Sequence, residues 1–189
     1  MTPADAVIAS ITRPAVAPSS TRSDASGWVA STYRGGSGHQ ARADSIRVLR
    51  EKVQGRRALV AVEYEDQDNR PWFFVHGATK QDDGSWTAHG GAGGDGSGLI
   101  SPNRRLPWAN LGGWGNSDFF CAGGRVHGDG VAEIRLVASD GQVVVDHLDQ
   151  LGIALLIGDT AFGQQFGVEL VSSTGEVVGT QRWGMPPIA

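Results

Sequence analysis

Apolar residues recur at every second position through much of the chain, which is the period of a half-buried β-strand. The clearest run is Ala58–Tyr64, with Leu59, Ala61 and Glu63 on one face and Val60, Val62 and Tyr64 on the other. Asp44–Val53 precedes it, and Gln54-Gly55-Arg56 is the intervening turn. Pro71–Ala78 and Ser85–His89 follow, separated by Gln81-Asp82-Asp83-Gly84, whose Asp-Gly pair tolerates positive φ. Trp28–Tyr33 supplies a further strand upstream. Together these segments predict an antiparallel meander.

The second half repeats the pattern. Asp118–Ala122 reads as a buried strand that turns at Gly123-Gly124. Val131–Ala138 and Gln142–His147 form a hairpin around Ser139-Asp140-Gly141. Ile153–Ile157 is wholly apolar, and Gly167–Ser172 pairs with Glu176–Gln181 around Ser173-Thr174-Gly175. Short strands at even spacing point to a sandwich or small barrel. The expected fold is mainly β with little helix: an antiparallel meander over 27–98 and a β-sandwich-like half over 99–189. The alternative is an α+β cystatin-like sheet. Residues 1–26 hold Pro3, Pro14 and Pro18 and read as a flexible arm, with room for one helical turn at Asp5–Ile11. The pattern leaves open whether the two halves share one core, with Trp108 and Trp114 filling the seam.

Glycine changes this picture most. The chain has 28 glycines in 189 residues, roughly twice the usual share of about 7%. They are densest at Gly90–Gly98, which reads as the joint between the halves. Gly91-Ala92-Gly93-Gly94-Asp95-Gly96 also fits GxGxxG, but Leu99-Ile100-Ser101-Pro102 offers no following helix to meet a phosphate. The segment is expected to be a loop.

The net charge is −4 and no basic run exceeds two residues, as at Arg104-Arg105, so no nucleic-acid partner is expected. No apolar stretch approaches the roughly 18 residues of a membrane span. The N-terminus lacks the basic and apolar regions of a signal peptide, which leads to an expectation of a cytoplasmic protein. An exported protein with a trimmed leader is the alternative. Cys121 is the only cysteine, which excludes an intrachain disulfide and a CxxC zinc site. His39, His76, His89, His127 and His147 show no metal-ligand spacing, so neither metal nor cofactor is expected.

The stretch from Ala41 to Gly93, with turns at Gln54-Gly55-Arg56-Arg57-Ala58 and Asp83-Gly84-Ser85-Trp86, resembles the sheet of the nuclear-transport-factor-like (cystatin-like) superfamily. That resemblance implies a cone-shaped sheet, whose apolar interior in the superfamily's enzymes works with a single His/Asp pair. Its lining here would be Tyr64, Trp72, Phe74, His76 and Trp86. The stretch from Cys121 to Gly179 is similar to β-sandwich segments of actinobacterial proteins, which implies an immunoglobulin-like sandwich and no activity.

Other candidates come from the residues themselves. Gly112-Gly113-Trp114-Gly115-Asn116-Ser117-Asp118 reads as a loop in which Trp114, Asn116 and Asp118 would hold a sugar or small polar ligand. The competing role is structural: Trp114 caps the core and Asp118 sets an Asx turn. His76 and His89 are expected to be neighbours across a hairpin. Cys121, following Phe119-Phe120 on an apolar strand, is expected to pack as a small hydrophobe. The leading expectation is a non-catalytic binding or interaction protein with a small-molecule or protein partner. The alternatives are an enzyme or carrier with the aromatic pocket of the first half, and a cell-surface or glycan-binding module. Oligomeric state is left open.

Overall fold

The computed structural model describes residues 1–14, 20–23, 29–32, 40–95, 107–115, 119–159 and 165–184. In chain order these form α1 (Pro3–Ile11), β1 (Ser20–Ser23), β2 (Val29–Thr32), a 3-10 turn at Ala43–Ser45, β3 (Arg47–Gln54), β4 (Arg57–Glu65), β5 (Pro71–Lys80) and β6 (Trp86–Asp95). Then come β7 (Trp108–Gly115), β8 (Phe120–His127), β9 (Val131–Ala138), β10 (Val143–His147), β11 (Ile153–Gly158), β12 (Gln165–Ser172) and β13 (Val177–Gly184). The fold is mainly β, as the alternation predicts, and every strand pairing is antiparallel.

Beside the β1-β2 hairpin there are three sheets, ordered β3-β4-β5-β6, β11-β8-β7 and β10-β9-β12-β13. They stack as layers. Leu59, Ala61, Phe73 and Val75 of the first sheet pack on Cys121, Ile153, Leu155 and Ile157 of the second. The other face of the second sheet, with Phe120, Ala122, Ala154 and Leu156, packs on Ile134, Leu136, Phe166, Val168 and Leu170 of the third. The second sheet is thus buried on both faces, which is why β11 is an unbroken apolar run. The inner core joins residues 59–75 to residues 121–157, so both halves of the chain contribute to one hydrophobic cluster.

Four expectations are corrected. The flexible arm fails over Pro3–Ile11: the helical turn allowed for at Asp5–Ile11 is present and belongs to a longer, docked helix. Thr2 Oγ1 accepts the Asp5 amide at 3.1 Å and Asp5 Oδ2 accepts the Thr2 amide at 2.7 Å, a capping box with Pro3 in the first turn. Val7 and Ile11 are fully buried against Val60, Val62 and Tyr64. Two large side chains suffice because the sheet supplies the rest of the surface.

The glycine-rich joint fails over Gly90–Asp95, which continues β6; residues 96–98 lie outside the described residues. The glycines permit close approach rather than flexibility. A Cβ on Gly91 or Gly93 would strike the carbonyl oxygens of Val75 and Phe73, and one on Gly112 would strike Ala92. The turn at Gly123-Gly124 is likewise the middle of β8, where Gly123 faces the Val75 side chain and Gly124 faces the Asn110 carbonyl. The loop over Gly112–Gly115 is the end of β7.

Polar side chains tie the layers at their edges. Gln181 of β13 accepts the Ala109 amide at 2.8 Å and donates to the Ala109 carbonyl at 2.7 Å, standing in for a strand on the open edge of β7. Buried Asp146 on β10 binds Arg50 and Lys52 of β3 and the Leu155 amide of β11.

Candidate functional site

Tyr64, Trp72, Phe74 and His76 lie on one face of the first sheet, because the register pairs Tyr64 with Trp72, Val62 with Phe74 and Val60 with His76, and Trp86 shares that face farther along, opposite Lys80 and beside Ala58 and Ala78. Ring centroids separate by 6.2 Å for Tyr64–Phe74, 5.9 Å for Trp72–Phe74 and 5.4 Å for Phe74–His76. The structure therefore assembles the aromatic row that the sequence nominates. It also covers it: α1 lies on this face, with Val7 and Ile11 over Val60, Val62 and Tyr64, and Ala6 against Ala58, Ala78 and Trp86. His76 is 3% exposed, and no donor or acceptor among the described residues reaches its Nε2. Burial pushes its pKa down to about 4, with a hydrogen bond to the His89 backbone opposing. The pairing of His76 is with Gly91 rather than His89, since a bulge follows His76. The His89 ring instead meets Thr79 Oγ1 at 2.7 Å.

Trp114 is half-buried in the seam between the first two sheets, its indole lying on Gly77. Asn116 and Asp118 lie outside the described residues. Trp108 stacks on His127 with ring centroids 4.9 Å apart. Cys121 is buried, and desolvation drives its thiol up to about 12, so it is neutral and packs as a hydrophobe. Among the described residues, no group of three or more His, Cys, Asp or Glu side chains is placed to hold a metal ion. No helix among them is long and apolar enough to cross a membrane.

An open groove of about 550 Å³ lies where the first two layers part. Gln54, Gly55, Arg56, Arg57 and Thr79 line it from the first sheet, and Phe119 and Asp159 from the second. Its shape follows from a two-residue hairpin: Gln54 pairs with Arg57, and Gly55 takes the positive φ of 59° that the turn requires. The Arg56 carbonyl then accepts the Lys80 amide at 2.8 Å, fixing the turn to the end of β5. Arg57 points from β4 toward the second sheet. Its guanidinium sits 4.3 Å from the centroid of Phe119 and pairs with Asp159. Arg56 reaches the other way, to the Lys80 carbonyl at 3.0 Å and Asp82 at 2.7 Å.

Sequence reasoning missed this groove, because Arg57, Phe119 and Asp159 are far apart in the chain. The only local signal is the adjacent pair Arg56-Arg57 directly after a glycine turn.

No protein-family model matches this sequence, and no curated protein matches it.

Proposed function

We propose that this chain is a non-catalytic binding protein that seats a small anionic ligand, a carboxylate or phosphate, in the groove at Arg57. The observation that carries this reading is the Arg57 guanidinium, held over the Phe119 ring at 4.3 Å from its centroid at the wall of an open groove. A planar fork held by a ring offers paired N–H donors to an oxyanion and loses little entropy on binding. Asp159, 69% exposed, already presents a carboxylate to that fork. It marks the geometry an incoming anion would take and is the group that anion would displace.

The test is calorimetric titration with acetate, citrate and inorganic phosphate at low and high salt. At least one is expected to bind, weakening as salt rises, with affinity reduced tenfold or more by Arg57→Gln. Asp159→Asn, which removes the competing carboxylate, is expected to tighten binding. Absence of binding by all three anions, or binding indifferent to Arg57→Gln in a variant with unchanged circular dichroism, would overturn the reading.

A further inference from the structure

We propose that α1 is an acid-released cover: protonation of His76 ejects the helix and bares Tyr64, Trp72 and Phe74 while the three stacked sheets remain folded. A charged imidazole ring has two N–H donors to satisfy. One side of His76 meets the His89 backbone, but Nε2 is buried with no partner among the described residues. Its surroundings are the Phe74 ring, Val60 across on β4 and Gly91 across on β6, with α1 above this face.

The charged groups of the packed elements do not compensate. On α1, Asp5 is turned to the Thr2 amide at the outer end of the helix, and Met1 is 71% exposed. On β3, Glu51 shares the cross-strand row Glu51–Val60–His76. It is two strands away, about 10 Å, and it already accepts the Ala4 amide at 3.1 Å. On β4 the residues of this face are Ala58, Val60, Val62 and Tyr64, and on β5 its neighbours are Trp72, Phe74 and Ala78. On β6, His89 is itself a potential cation. Among the described residues, no carboxylate reaches the ring.

Relief comes most easily from α1. Beyond the apolar contacts of Ala6, Val7 and Ile11, the ties between the helix and the rest of the described residues are hydrogen bonds at its two ends. Glu51 caps Ala4, the Ala41 amide donates to the Ile11 carbonyl at 2.8 Å, and Gln40 donates to the Thr12 carbonyl at 3.1 Å. The sheets keep full ladders and two interlayer cores that do not include His76. A histidine whose pKa falls from 6.5 to about 4 on burial favours the docked state fully above pH 6.5 and progressively less as pH falls toward 4. The docked-to-undocked ratio then drops about 20-fold between pH 7 and pH 5, and about 100-fold by pH 4.

Amide hydrogen exchange on the full chain at pH 7, 5 and 4, corrected for intrinsic rates, tests this. Protection of Ala6–Ile11 is expected to fall by those factors while β8, β9 and β11 stay protected. In His76→Phe, or His76→Leu should the first fail to fold, the fall should vanish. In the wild-type protein alone, the His76 ring resonances and α1 protection should share one midpoint. A pH-independent helix, an equal fall in the variant, separate midpoints, or simultaneous loss of helix and sheets would each overturn the cover.

Discussion

Arg50 and Asp146, 96 residues apart, form a bidentate ion pair at 2.6 and 3.1 Å that joins β3 to β10. Asp146 is 4% exposed and also accepts Lys52 Nζ at 2.9 Å and the Leu155 amide at 2.7 Å. Arg50 donates as well to the carbonyls of Ile153 and His147, so one guanidinium spans β10 and β11. These donors, with Lys52 near the Val145 carbonyl, occupy the outward backbone of β10 and blunt an edge open to pairing.

Breaking this pair from one side leaves a desolvated charge. Asp146→Ala is expected to cost about 3–5 kcal/mol. Replacing both members, as Arg50→Met with Asp146→Leu, is expected to cost less than the single change, because Lys52 can extend its ammonium into water. Urea denaturation of the three proteins checks this; a double variant weaker than Asp146→Ala would refute it.

Trp114 and Gly77 define the seam between the first two layers. A Cβ at Gly77 would lie 2.8 Å from Trp114 Cζ2, too close without displacement of the ring. Gly77→Ala is expected to lose about 1–3 kcal/mol through overpacking. A smaller ring should relieve the clash, so Gly77→Ala with Trp114→Phe should lose less than the sum of the two single changes. Strictly additive losses in a double-mutant cycle would show that the indole does not carry the contact.

Cys121 should be silent toward thiol reagents while the chain is folded. With its pKa raised to about 12, almost no thiolate exists at pH 8. Reaction with a disulfide reagent is expected at the rate of unfolding and to accelerate in urea. A thiol raised from 9 on folding contributes stability that is intact below pH 9 and lost as pH climbs toward 12. Cys121→Ala should flatten that part of the alkaline stability profile. Rapid labelling of the folded protein would contradict the burial.

The strands were legible where side chains alternate. Val131–Ala138 is a strand with the predicted ends, and Ala58–Tyr64 grows by one residue at each side. The misread segments are those where glycine replaces a side chain. At Gly90–Asp95 and Gly123-Gly124 the residues look like breaks, because what demands them is a neighbouring strand or sheet. Periodicity carries no trace of a contact made across the fold.

What the sequence determined by itself is the mainly β character, the grouping of Tyr64, Trp72, Phe74 and His76 on one face, and the apolar setting of Cys121. Each follows from the two-residue repeat of a strand, which is local. What tertiary structure decided is the stacking of three sheets, the covering of the aromatic row by α1, and the meeting of Arg57 with Phe119 and Asp159. Those depend on which faces are buried against which, a choice made by contacts between residues distant along the chain.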